Sequence, residues 1–383
     1  MFLALRDLRF ATGRFALMGS VVALISLLLV MLSGLTAGLG GQNTAAIDRL
    51  GEQGVQRVVF GGAAGQEPTA SFTQSEFTVA QRDAWAATDG VASVEPLGVS
   101  QGRAIGLERP VDTDPQGRAD VSGEPTTGVA TTAFIGLTPG GSDAPAGVEP
   151  GQIVLSHDVA DSLHAQTGDA VAVSGFVYTV ADVVPTEYYS HSPVTWLALE
   201  DWNAISHTAD DAVLGTAGLV RFDAGADVDA VAAAGDDAAG TAAETVKGSY
   251  AALPSYRSEN GSLMTMQGFL YGISALVVIA FLSIWTVQRT RDIAVLKALG
   301  GSNGWVLKDS LAQAAFVLVG GVAVSTGLAA VIGAFAGRAV PFELSWATTA
   351  VPAAGVLVLG MLAAVVAVYR VTRIDPLVAL GGN

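Results

Sequence analysis

Cysteine is absent from the 383 residues. That excludes a disulfide framework, a Cys-ligated zinc or iron–sulfur site and a thiol nucleophile, and it leaves the redox compartment unread. Lysine is nearly absent: Lys247, Lys297 and Lys308 are the whole set. None follows a G-x-x-x-x-G-K-[ST] loop, so the chain carries no P-loop of its own for ATP. Charged residues make up 14%, against about 25% in a soluble globular chain. No stripe of Lys and Arg is present to meet phosphates, which excludes a nucleic-acid face. H-E-x-x-H and G-x-S-x-G are also missing. Paired-carboxylate catalysis cannot be read from an abundance of aspartates, so no catalytic residue is assigned.

Apolar sequence is plentiful, with 51% hydrophobic residues and a mean hydropathy of +0.48. Four stretches reach the ~20 residues a helix needs to cross a bilayer. They run over Phe15–Leu39, Gly268–Val287, Leu311–Ala336 and Trp346–Tyr369, and none contains a charge. Backbone polar groups in lipid must be satisfied internally, so each is predicted to be a helix. The first stretch follows Arg6, Arg9 and Arg14, but it is longer than a signal-peptide core and lacks an A-x-A site, so it is expected to stay as a membrane helix.

The basic residues set an orientation. They precede the first span, lie between the second and third (Arg289, Arg291, Lys297, Lys308), and follow the fourth (Arg370, Arg373). Both termini and the 288–310 loop are therefore expected in the cytoplasm, with 40–267 and the short loop 337–345 outside. Residues 41–260 hold 30 acidic and 9 basic side chains, so the acidic excess belongs to the outer part, where it favours solubility.

The expected layout is an amphipathic N-terminal helix and first span (1–39), an α+β domain containing a small β subdomain (40–267), a second span (268–287), a cytoplasmic loop (288–310), a third span (311–336), a short outer loop (337–345), a fourth span (346–369) and a cytoplasmic tail (370–383). Within the insert, Gln56–Phe60 reads as a strand. Thr78 caps a helix running to about Thr88, and Val91–Leu97 reads as a strand. Residues 108–126 read as a loop, Gln152–Leu199 as mostly β, and 223–245 as a frayed helix. No internal repeat is evident. His157 and His164, seven apart on a short predicted helix, are weak metal candidates.

Two features are sharper. Val287–Gly301 reads VQRTRDIAVLKALGG: Ile293, Leu296 and Leu299 or Gly300 fall on one face of a short helix. Thr290 is placed to start it and Gly300-Gly301 to end it. Such a helix either docks on a partner or lies on the membrane surface. The spacings Gly34-x-x-x-Gly38 and Gly333-x-x-x-Gly337 are of the kind that lets membrane helices approach closely.

The QRTRDIAVLKALGG run resembles the coupling-helix motif of MacB/FtsX-type ABC transporter permeases. The matching positions are Arg289, Arg291, Asp292, Ile293, Leu296, Lys297, Ala298, Leu299 and Gly300; the family usually has Glu where Asp292 stands. The ending RVTRIDPLVALGG, the start LALRDLRFATGRFALM and the one-plus-three helix layout are similar to the family as well. The resemblance implies an α-helical integral membrane protein with four transmembrane helices and an α+β extracytoplasmic domain between helices 1 and 2. It implies a multi-pass protein of the bacterial cytoplasmic membrane that pairs as a homodimer. Each copy docks one separate ABC ATPase subunit through the short cytoplasmic helix, two ATPase copies in all, and ATP is bound there, not here. No intrinsic cofactor is implied. Movement passes along the helices to the outer domains, acting on substrates at the outer leaflet.

Among four-span members, size and layout are similar to the haem-exporting permeases of Gram-positive bacteria, which makes haem the first cargo to consider. Lipoprotein or drug export, and transmission of a signal to a cell-wall hydrolase, remain open alternatives. Haem needs an apolar slot and takes axial ligands such as Met, His or Tyr. Met31 in the first span, with Glu259, Met264, Met266 and Tyr271 around the start of the second, are the candidate contacts. Tyr188-Tyr189-Ser190-His191 forms a second candidate patch. Each methionine also has an ordinary use as a gap-filler in apolar packing.

Overall fold

The computed structural model describes residues 12–62, 67–206, 210, 212–288 and 303–372. The chain divides into two compact units: residues up to Leu39 together with those from Asn260 onward, and Gly40–Glu259.

The first unit is helical. Helix α1 spans Thr12–Glu52, and its continuation past Leu39 belongs to the second unit. Three further long helices, over Pro254–Gln288, Asn303–Ala336 and Trp346–Thr372, are numbered below after the insert's helices. All four are long and apolar enough to cross a membrane. On α1, Phe15, Met18, Val22, Ile25 and Leu29 recur every three or four residues and are buried against Val278 and Leu282, Val317 and Leu318, and Val356 and Ala364. The remaining faces are apolar and uncovered: Leu17, Leu276 and Phe335 are 68%, 66% and 65% exposed. Large apolar side chains in such numbers on an outer surface suit lipid.

The second unit is α+β. Its strands are β1 (Arg57–Phe60), β2 (Phe77–Thr78), β3 (Val91–Leu107), β4 (Thr126–Leu137), β5 (Gln152–Ser156), β6 (Ala170–Val173), β7 (Phe176–Val184), β8 (Tyr188–Tyr189), β9 (Ser192–Ala198), β10 (Val213–Gly215), β11 (Ala217–Phe222) and β12 (Ala242–Thr245). Its short helices are α2 (Val79–Ala86), α3 (His157–Leu163), α4 (Leu199–Ile205) and α5 (Val228–Ala239). The long helices that follow are then α6 (Pro254–Gln288), α7 (Asn303–Ala336) and α8 (Trp346–Thr372).

The 17-residue β3 serves two structures. Its first half pairs with β11 in the sheet β12-β1-β11-β3. Its second half pairs with β4 on one side and β6 on the other. With β9, β5 and β7 between β4 and β6, these strands close a six-membered ring. The β subdomain expected over 152–199 is thus completed by β3 and β4, which precede it.

Several details differ from the sequence expectation. Residues 223–245 are not one helix: α5 stops at Gly240, whose positive φ of 62° ends it, and Ala242–Thr245 pairs with β1. Strand β4 (TTGVATTAFIGL) starts at the edge of what reads as a loop. Helix α1 runs thirteen residues past Leu39, because Ala46, Ile47 and Leu50 fall on one face and are fully buried in the insert's core. Helix α6 likewise begins at Pro254, well before the apolar run. The start of α2 follows expectation: Thr78 accepts from the Gln81 N–H at 3.3 Å, and Gln81 Oε1 accepts from the Thr78 N–H at 2.9 Å, a capping box.

Candidate functional site

Helix α1 presents Leu28, Met31, Leu32 and Leu35 along one stripe, and α6 presents Met266, Phe269 and Leu270. With Ala336, Val340 and Phe342 they enclose a cavity of about 600 Å3. No lining residue is charged. Met266 and Phe269 are 54% and 69% exposed, so the α6 side stands open. Just beyond Leu35 and Met266, Gln267 Nε2 donates to Thr36 Oγ1 at 3.2 Å and ties the two helices.

The third wall is a loop. The chain leaves α7 through Gly337, whose N–H donates to Gly333 O at 3.0 Å. Pro341, lacking an N–H, does not extend the helix. The Glu343 N–H donates to Gly34 O on α1 at 3.0 Å. Ser345 and Thr348 then exchange backbone-to-hydroxyl bonds of 2.9 and 3.2 Å and start α8. The Gly-x-x-x-Gly spacings meet this loop: Gly34 and Gly333 face the Phe342 ring and Gly38 faces the Pro341 carbonyl. Within this chain they seat a loop and not a neighbouring helix.

The structure separates the five candidate contacts. Met31 and Met266 share the pocket. Met264, two residues from Met266 and so roughly on the opposite face of α6, is 62% exposed and lies 4.0 Å from Asn260 Nδ2. Tyr271 turns toward Gly355 of α8. Glu259 belongs to a polar cluster in the insert. His191 Nε2 lies 2.9 and 3.0 Å from its two oxygens, and Asn43 Nδ2 donates to it at 3.2 Å.

That cluster hangs on the β8–β9 turn. Ser190 and His191 have φ of 48° and 63°, the left-handed pair a tight two-residue hairpin requires. Their N–H groups donate to Asn43 O and Gln42 O of α1 at 3.0 and 2.8 Å. Sequence spacing hides this grouping, since Glu259 and His191 are 68 residues apart. Of the second candidate patch, Tyr189 is buried against Phe72 at 5.8 Å. Tyr188 donates to Asp158, and burial together with that bond pushes its hydroxyl up to about 12. One imidazole beside one carboxylate is not a metal centre, and no set of three or more His, Asp or Glu among the described residues could hold an ion.

The docking candidates Arg289, Arg291, Asp292, Ile293, Leu296, Lys297, Leu299 and Gly300 lie outside the described residues.

Comparison with known proteins gives two family matches along the chain. The MacB-like periplasmic core domain matches residues 16–238, and the FtsX-like permease C-terminal domain matches residues 264–376. The chain belongs to the FtsX/MacB family of ABC transporter permeases: a multi-pass membrane protein whose α+β domain, inserted between the first and second membrane helices, is extracytoplasmic. It is homologous to proteins named hemin transport system permease protein HrtB. That of Staphylococcus epidermidis aligns over the whole of both chains at 22% identity. That of Staphylococcus haemolyticus is 29% identical over 130 residues, 34% of this chain and 37% of the relative's length. Among solved structures, the periplasmic region of MacB from Actinobacillus actinomycetemcomitans is similar with a TM-score of 0.33 and 11% identity, over 50% of this chain and 89% of that one. Permeases of this family are transporter subunits and not enzymes, and the family implies a separate ATPase partner.

Proposed function

We propose that this chain is the membrane half of a haem exporter. It takes haem from the outer leaflet and is driven by ATP hydrolysis in two separate ATPase subunits, with the permease as a homodimer and both termini in the cytoplasm. The observation that carries the reading is the pocket holding Met31 and Met266 in otherwise apolar walls. A porphyrin is a large apolar plane, and a thioether is a neutral, soft ligand able to meet its iron without bringing a charge into lipid. The opening beside Met266 and Phe269 suits sideways passage from the bilayer. The name shared by the Staphylococcus relatives supports the same cargo.

Drive would pass through two helices. In this reading Ile293 and Leu296 dock on the ATPase, and α1 and α6, each continuous between a membrane segment and the insert, carry the movement outward. That is mechanotransmission, with no central aqueous channel for the cargo.

The purified full chain should shift the Soret band of added hemin. Met31→Ala and Met266→Ala should each weaken binding roughly tenfold, equivalent to about 1.4 kcal/mol. Cells deleted for the chain should become haem-sensitive. A flat titration together with unchanged haem tolerance would remove haem as the cargo and leave the other exports or the hydrolase-linked role.

A further inference from the structure

The pocket has no charged or hydrogen-bonding lining side chain with which to read a substrate, so selection must come from shape and from ring contacts. Part of its wall is adaptable: Met31 and Met266 are unbranched and fill irregular gaps, and Phe269 stands largely exposed. Phe342 differs from all of these. A Cβ placed on Gly34 would come within 2.4, 2.5 and 3.0 Å of three of its ring atoms, and one on Gly333 within 2.7 Å. Both helices have therefore given up a side chain where the ring lies. A glycine inside a helix costs about 1 kcal/mol relative to alanine, so the seat is maintained at a penalty. The backbone that carries the ring is fixed too. A Cβ on Gly38 would stand 2.2 Å from the Pro341 carbonyl oxygen, and the Glu343 N–H is bonded to Gly34 O.

From this clamped, half-buried ring beside Met31, we propose that Phe342 is the specificity-determining residue of the pocket. Its fixed aromatic surface favours a rigid planar macrocycle over the flexible acyl chains that fill any apolar groove in a bilayer. The assignment rests on the haem reading above and divides its labour. Met31 and Met266 address the metal, and Phe342 addresses the ring. Offset or edge-on aromatic contacts contribute about 0.5–1.5 kcal/mol beyond area burial, which is a roughly two- to tenfold effect on affinity.

The experiment compares hemin with metal-free protoporphyrin, both titrated into the detergent-solubilised full chain. Phe342→Leu keeps apolar bulk and removes the aromatic face, so it should weaken both ligands by a similar factor. Met266→Ala should weaken hemin and leave the metal-free ring nearly unchanged. Gly34→Ala should displace the Phe342 ring and weaken both ligands. Combining it with Phe342→Ala removes the clashing atoms and should return affinity to that of Phe342→Ala alone.

Gly38→Ala, which meets backbone, should not be rescued in this way. The proposal is overturned if wild type binds hemin and Phe342→Leu binds both ligands unchanged. It is overturned equally if Gly34→Ala combined with Phe342→Ala binds clearly more weakly than Phe342→Ala alone, since the added methyl would then act through something other than the ring. A wild-type chain that binds neither ligand defeats the haem reading, and this assignment falls with it.

Discussion

The helical unit and the insert bury their side chains with different materials. The core of the former is mostly aliphatic, from Val22 and Leu29 to Val356 and Ala364, with Phe15 as a buried ring near one end, and it includes a hydroxyl pair, Ser26 Oγ to Ser325 Oγ at 2.9 Å. Its outside is largely apolar too, with Leu17, Leu276 and Phe335 well exposed. The insert packs large aromatics, with Trp85, Trp196, Phe60 and Phe72 fully buried. It also encloses ions: Arg221 bonds Asp143, whose side chain is 1% exposed, and Arg49 pairs with Glu187 at 3.0 Å while stacking over Trp196. In water, burial of apolar area supplies the driving force, and it can offset the cost of enclosed charge. Between helices in lipid that force is missing, and close packing with a few hydrogen bonds replaces it. The difference locates function as well as stability. The helical unit, whose four apolar runs carry no charge, can hold an apolar cargo, while the insert carries most of the acidic residues.

The largest expected effect tests the insert's dependence on its core. Trp85→Ala removes a fully buried ring and its Nε1 bond to Thr241 Oγ1 at 2.9 Å. The loss should be about 3–5 kcal/mol, seen as early disappearance of the β signal in denaturant-monitored circular dichroism. A loss below about 1 kcal/mol would mean the insert does not rely on that core.

A pH series sharpens the same contrast. Burial raises the carboxyls of Glu95, Glu187, Asp201 and Asp236 above their ordinary values. Each therefore takes up its proton at higher pH when folded than when unfolded. Their contribution to stability is complete below the unfolded values near 4 and is lost as pH rises through the folded values. The melting temperature of the insert should accordingly climb as pH falls from neutral toward the unfolded carboxylate values near 4, and Glu95→Gln should flatten the slope. The helical unit, with few titratable side chains, should not follow. An insert whose stability falls over that interval would contradict the assignment.

Much of this architecture is legible in residue order, and the exceptions have physical causes. Four charge-free apolar runs leave no alternative to membrane helices, and T-x-x-Q at Thr78–Gln81 announces a helix start. Ring closure cannot be read locally, because β3 meets β6 and β9 lies between β4 and β5 only through long-range pairing. The extension of α1 is masked by Gly40-Gly41, although Ala46, Ile47 and Leu50 keep the helical period. In the site, Met31 and Met266 are visible as residue types. The two-residue step from Met264 to Met266 nevertheless divides a cluster that looks continuous in the sequence. Phe342 is invisible, since the loop 337–345 reads as a plain connector and its glycine seats read as helix contacts.

The smallest effect tests the helical unit on its own terms. Ser26→Ala removes the one side-chain hydrogen bond that Ser26 accepts from Ser325, while Ser325 keeps its bond to Val322 O at 2.8 Å, so no buried donor is orphaned. Hydrogen bonds between membrane helices average about 0.6 kcal/mol by double-mutant cycles, and the substitution should cost about that much in a detergent-unfolding titration. A cost approaching that of Trp85→Ala would mean that polar pairing, and not close aliphatic packing, holds the four helices together. The distinction between the two units would then fail at its simplest point.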